Sequence, residues 1–111
     1  MHPHHLLPPF FALLLTISPA LADAPVSASE HFQWALEDEV DVSDPLAYGA
    51  YLFENCTSCH SEDGSEGSGG DIRGSDFRTV KKMTTAGLED MPEFDFEKLE
   101  IDALVAYLGS L

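Results

Sequence analysis

Positive charge is scarce in this chain. Five lysines and arginines stand against twenty aspartates and glutamates, a formal net charge of −15 over 111 residues. So acidic a surface excludes a nucleic-acid partner, because phosphates are bound by a basic face. Cysteine is scarcer still, with two residues that both fall within one four-residue segment. No stretch alternates apolar and polar residues as a strand does, and no internal repeat is present. A long apolar run is missing too. The mostly apolar stretch from Leu6 to Ile17 is interrupted by Pro8 and Pro9 and is too short to span a bilayer. What remains is enough chain for one small helical domain, whose thin core benefits from a staple.

The apolar stretch ends at Ala20-Leu21-Ala22, which has the small-x-small form of a signal peptidase site. An export signal over residues 1–22, cleaved after Ala22, is therefore expected, with the mature protein in the periplasm and without a membrane span. The positions before the run (His2, His4, His5) carry no Lys or Arg, and an uncleaved N-terminal anchor is the alternative. Every charged residue lies beyond Ala22, so the mature piece keeps the full net charge. Residues 23–43 read as an acidic extension or linker, with Glu37-Asp38-Glu39 and Asp41 clustered. Ser29 to Leu36 is a short helix, with Phe32 and Leu36 on one face, or part of a flexible acidic tail.

Residues 44–111 read as the folded domain, about three helices joined by long loops. Asp44 suits an N-cap and Pro45 the first helical position. Leu46, Tyr48, Gly49, Leu52 and Phe53 then form an apolar stripe. Gly49 within that helix costs about 1 kcal/mol relative to Ala, which suggests a close packing contact. Ser61 to Gly70 is a Gly, Ser and acid loop. Asp76 is placed to cap a second helix through Phe77, Val80 and Thr84, stopped by Gly87. Asp95 is placed to cap the last, with Glu97, Glu100 and Asp102 near its positive end. Leu99, Ile101, Leu104, Val105, Tyr107 and Leu108 give it an apolar side.

Both cysteines sit in Cys56-Thr57-Ser58-Cys59, and His60 follows at once. Two thiols three positions apart reach both vinyl groups on one edge of a haem as thioethers. The next residue then aims its imidazole at the iron. This pattern is the signature of c-type haem attachment, with Cys56 and Cys59 the covalent anchors of one haem c and His60 an axial ligand. A dithiol redox motif uses the same spacing but expects a βα setting, and here a helix leads in. Zinc wants further ligands, yet only His31 and His60 remain beyond Ala22. A local disulfide is the remaining alternative.

A thioether opposite the histidine raises the potential and suits electron transfer. Met83 falls inside a predicted helix, where a methionine usually packs. Met91 lies in the loop Gly87-Leu88-Glu89-Asp90-Met91-Pro92, where Pro92 stiffens the backbone beside the sulfur. Met91 is therefore the expected sixth ligand. Were neither methionine bound, the iron would keep an open position and the function would move to gas sensing or minor peroxidase chemistry.

Over residues 44–111 the chain resembles the class I, single-haem bacterial cytochromes c. The resemblance rests on Cys56 to His60, on Gly87 to Phe94 with Met91-Pro92, and on Asp102 to Leu108, in that order. It implies the all-α cytochrome c fold, with first and last helices crossing at right angles and Gly49 and Leu52 facing Leu104 and Tyr107. Two departures stand out. Tyr48 and Leu52 hold the positions where the family commonly has Gly and an aromatic, with Gly49 and Phe53 one residue later. No Pro occurs between His60 and Met91, so a carbonyl near Gly69 to Ile72 is expected to hold the imidazole N–H instead.

Four of the five basic residues, Arg73, Arg78, Lys81 and Lys82, fall in one segment. Arg73 is a candidate contact for a haem propionate, while Lys81 and Lys82 read as a solvated helix face. Phe77, Leu88, Phe94 and Phe96 are candidate pocket lining or plain core. The expected function is a monomeric one-electron carrier, not an enzyme, docking to redox proteins that present a basic face. The alternative is a dedicated electron-transfer subunit of an exported dehydrogenase or respiratory complex.

Overall fold

The computed structural model describes residues 24–67, 69–87 and 91–111. The expected export signal and Leu88 lie outside the described residues. Five helices and no strand are present among the described residues: α1 (Glu30–Glu37), α2 (Pro45–Phe53), the single turn α3 (Thr57–His60), α4 (Phe77–Ala86) and α5 (Lys98–Ser110). The all-α class and the three main helices, α2, α4 and α5, agree with the sequence reading. To these the structure adds α3 around the cysteine motif and gives α1 a helical form.

The starts of α2 and α4 follow their sequence signals. Asp44 accepts hydrogen bonds from the amides of Leu46 (3.1 Å) and Ala47 (3.4 Å), with Pro45 next. Asp76 accepts from the Thr79 amide at 2.8 Å. Gly87, at φ 60°, ψ 54°, ends α4 in the left-handed conformation that glycine adopts without penalty. The start of α5 differs from expectation. Glu97, not Asp95, is the N-cap, and its amide donates to Glu100 Oε1 at 2.8 Å. Asp95 is engaged elsewhere: it accepts from the Glu30 amide and from His31.

The core forms where α2 packs on α5 and α4 joins them. Tyr48, Leu52, Phe53, Val80, Ile101, Leu104 and Leu108 are buried there. Gly49 sits at the contact of α2 with α5. A Cβ there would collide with the Ala103 carbonyl oxygen and lie 2.6 Å from Tyr107 Cβ. The glycine therefore sets how closely the helices approach, and its direct neighbours are Ala103 and Tyr107 rather than Leu104 and Tyr107. This also accounts for the one-residue shift from the family pattern: Gly49 makes the close contact, and Tyr48 turns its ring into the core.

Helix α1 lies against this body. Ser29 caps it, accepting from the Phe32 amide at 3.0 Å. Its buried face is His31, Phe32 and Ala35, while Leu36 is 47% exposed. Leu36 thus does not share the buried side of Phe32, because Ala35, with no bulk to hold the helix off, takes the position nearest the core. The carboxylate of Glu100, 0% exposed, joins three segments. It accepts from Ser27 Oγ (2.7 Å), Tyr48 Oη (2.7 Å) and the Glu97 amide (2.8 Å). Burial, and then the carboxylate beside it, push the Tyr48 phenol well above its ordinary pKa, so the hydroxyl stays a donor.

Candidate haem-binding site

The cysteine motif begins where α2 ends. The Phe53 carbonyl accepts from the Cys56 amide at 2.8 Å, so the chain continues directly from helix into motif. The Cys56 carbonyl then accepts from the amides of Cys59 (3.2 Å) and His60 (3.0 Å), which closes the turn α3. One turn therefore carries both thiols and the imidazole. The two sulfurs are not joined to each other. Burial, and less so the neighbouring Cys59, pushes the Cys56 thiol up to about 11. A dithiol redox centre instead depends on a depressed thiol pKa and a reactive thiolate, so the local setting disfavours that alternative. Among the described residues no group of three or more His, Cys, Asp or Glu side chains is placed to hold a metal ion by itself. The zinc reading therefore lacks its ligand set there.

His60 is buried and held from behind. Its Nδ1 lies 3.0 Å from the Gly70 carbonyl oxygen. A carbonyl only accepts, so the contact requires the proton on Nδ1 and leaves the Nε2 lone pair available to a metal. The expectation of a carbonyl between Gly69 and Ile72 in place of a proline is met at Gly70. The loop is shaped for this. The Gly69 amide donates to the Cys59 carbonyl at 2.7 Å, and the Ile72 amide to the Gly64 carbonyl at 2.8 Å. Gly69 runs against the imidazole face: a Cβ there would collide with Cε1 and sit 2.7 Å from both ring nitrogens. Asp63 stiffens the loop's outer part by accepting from Ser65 Oγ and its amide and from Ser61 Oγ, which holds its carboxyl down to about 2.

His60 and Cys56 open onto an apolar cleft. Its walls are Phe53 of α2, Val80 and Thr84 of α4, Leu104 and Leu108 of α5, and Ile72 from the loop. Met91 lines the same cleft, and so does Met83. Met83 is 38% exposed, so it is not the core-packing methionine that its helical position suggests. Phe77, Phe94 and Phe96 are not among the lining residues. Phe94 and Phe96 stack on each other and turn to His31, and Phe77 and Phe96 pack at the core margin. The lining missed from sequence, Phe53, Val80 and Leu104, was visible there only as helix stripe, because core and pocket wall have the same composition. Arg73 is not brought to the cleft. Its guanidinium forks onto Asp71 at 3.0 and 3.1 Å, on the exposed surface.

These residues fit a haem. The cleft is apolar and carries an oriented imidazole, two thioether sulfurs and a thiol at its wall. Cys56 and Cys59 would hold the porphyrin, and His60 and a methionine the iron. An all-helical domain around such a cleft, entered through a Cys-x-x-Cys-His turn, is a class I c-type cytochrome domain. The family model described as cytochrome c oxidase, cbb3-type, subunit III matches residues 45–108. The chain belongs to that family, whose chemistry is haem-based electron transfer. No curated protein and no solved structure matches it.

Proposed function

We propose that the protein is an exported, single-haem c-type cytochrome that carries one electron between redox partners. Its haem is attached covalently through Cys56 and Cys59, and its iron is bound by His60 and Met91. The observation that carries this reading is the His60 setting. A buried imidazole has its Nδ1 proton committed to the Gly70 carbonyl, in an apolar cleft that Cys56 and Met91 also line. When bound, the haem supplies the one-electron centre. The chain's own residues do the rest. Cys56 and Cys59 fix the group, Gly70 orients the axial ring, Met91 supplies a neutral sulfur donor, and Phe53, Val80, Leu104 and Leu108 keep water from the cleft.

The acidic surface favours partners with a basic docking face. No helix among the described residues is long and apolar enough to cross a membrane. The small-x-small segment ending at Ala22 supports export with cleavage there. The family description favours a second reading, a dedicated subunit of a respiratory complex. Salt-sensitive co-purification with one such complex would select it over a free shuttle.

The test is a pyridine haemochrome spectrum with mass spectrometry of protein matured in a periplasm. The expected product is one haem per chain, retained through denaturation, on a polypeptide that starts at Asp23. Colourless protein with both thiols titratable overturns the proposal.

A further inference from the structure

We propose that α1 positions the methionine loop, and that Asp95 and His31 are positioning residues for Met91. This rests on the His60 and Met91 ligation proposed above. The segment from Met91 to Phe96 has no helix or strand of its own. Holding one sulfur position from such a segment costs backbone entropy, so its ties to the rest of the fold decide how firmly the sulfur is presented. One tie runs to α4, where the Phe94 amide donates to the Thr84 carbonyl at 2.8 Å. The others run to α1. Asp95 Oδ2 accepts from the Glu30 amide at 2.8 Å, and Asp95 Oδ1 lies 3.2 Å from His31 Nδ1, which donates to it. The Phe94 and Phe96 rings stack at 4.8 Å, and both meet the His31 ring edge-on, with centroids 5.9 and 4.9 Å away.

The choice of Asp95 is physically apt. The first amides of a helix lack partners within it, and a carboxylate at that end is favoured by the helix dipole. One side chain therefore satisfies α1 and anchors the loop four residues beyond Met91. The α1 side of this brace comes from residues before 45, outside the stretch matched to the family. Residues 24–43 on this view form a strap that stiffens the axial loop, and Glu100 seats the same strap on α5 through Ser27.

The holoprotein and its variants are compared by three readouts: the weak far-red band of sulfur-bound ferric haem, carbon monoxide uptake by the reduced form at neutral pH, and reduction potential. Wild type is expected to show the band, Met91→Ala to lose it and Met83→Ala to keep it. Asp95→Ala is expected to weaken the band, lower the potential and speed carbon monoxide uptake about tenfold, the shift one charge-assisted hydrogen bond can cause. Asp95→Asn keeps an oxygen for the Glu30 amide and is expected to recover most of the wild-type signal. His31→Gln, a milder change, reports the same effect if Asp95→Ala loads haem poorly. Band loss well below the thermal unfolding transition separates positioning from general destabilisation. Unchanged band, potential and carbon monoxide uptake in both Asp95→Ala and His31→Gln would overturn the positioning role and leave Met91 ligation standing. A band absent from wild type, or kept in Met91→Ala, would overturn the ligation itself.

Discussion

At the residue scale, Glu100 shows how a charged group survives in a core. It is fully buried, yet three donors from three segments converge on its two oxygens. Removing a donor leaves the carboxylate short of a partner, and removing the carboxylate leaves three donors short. A buried hydrogen bond to a charged group contributes about 1.5–3 kcal/mol. Tyr48→Phe is therefore expected to destabilise by about 2 kcal/mol, and Glu100→Ala by about 3 kcal/mol or more, since each orphaned donor costs about 1–3 kcal/mol. Glu100→Gln keeps an acceptor oxygen and is expected to fall between wild type and Glu100→Ala. Denaturant unfolding followed by circular dichroism measures all three. Equal stability of Glu100→Ala and wild type would mean that the convergence contributes nothing.

At the element scale, the contact between α2 and α5 turns on a residue with no side chain. Helix propensity alone favours Gly49→Ala by about 1 kcal/mol. The space does not: the new Cβ would meet the Ala103 carbonyl and Tyr107 Cβ, both in a helix that cannot yield locally. Overpacking of this kind costs about 1–3 kcal/mol, and backbone contact places it at the upper end, so net destabilisation by about 2 kcal/mol is expected. Gly109 in α5 is the control. A Cβ there meets nothing within 4 Å, so Gly109→Ala is expected to stabilise by up to about 1 kcal/mol. Opposite signs in thermal unfolding are the result to look for. The need for close approach at Gly49 was legible in the sequence, because a mid-helix glycine is otherwise a loss. So were the starts of α2 and α4, where Asp44 and Asp76 accept from amides within three residues and Pro45 has no amide hydrogen to satisfy. The cap of α5 was not. Asp95 and Glu97 both precede the helix, and the choice between them is made by Glu30 and His31, some 65 positions away. The Cys-x-x-Cys-His motif was fully legible because its chemistry demands contiguous residues. The cleft wall and the seat of α1 depend on contacts between distant segments, which periodicity does not encode.

At the scale of the whole molecule, charge imbalance makes two measurements move in opposite directions with salt. A formal charge of −15 on so short a chain repels itself, which works against the compact state. Local pairing relieves little of it. Of the five cations, Arg73 is spent on Asp71 and Lys98 on Asp102. Arg78, Lys81 and Lys82 are exposed on α4, whose Val80 and Thr84 face the cleft, so they form a solvated face. Raising ionic strength from about 0.01 to 1 M shortens the screening length from about 30 to about 3 Å. Self-repulsion then fades, and the midpoint of thermal unfolding is expected to rise. The same screening removes long-range attraction to a basic partner. Steered association gains on the order of 10- to 1,000-fold in rate from such fields, so stopped-flow electron transfer with a basic redox protein is expected to slow by at least about tenfold over that range. A rate that rises with salt would mean that the docking face is not the acidic one, and would direct attention to Arg78, Lys81 and Lys82 instead. A falling rate with a rising unfolding midpoint would trace both responses to one property, the surplus of carboxylates that the composition already shows.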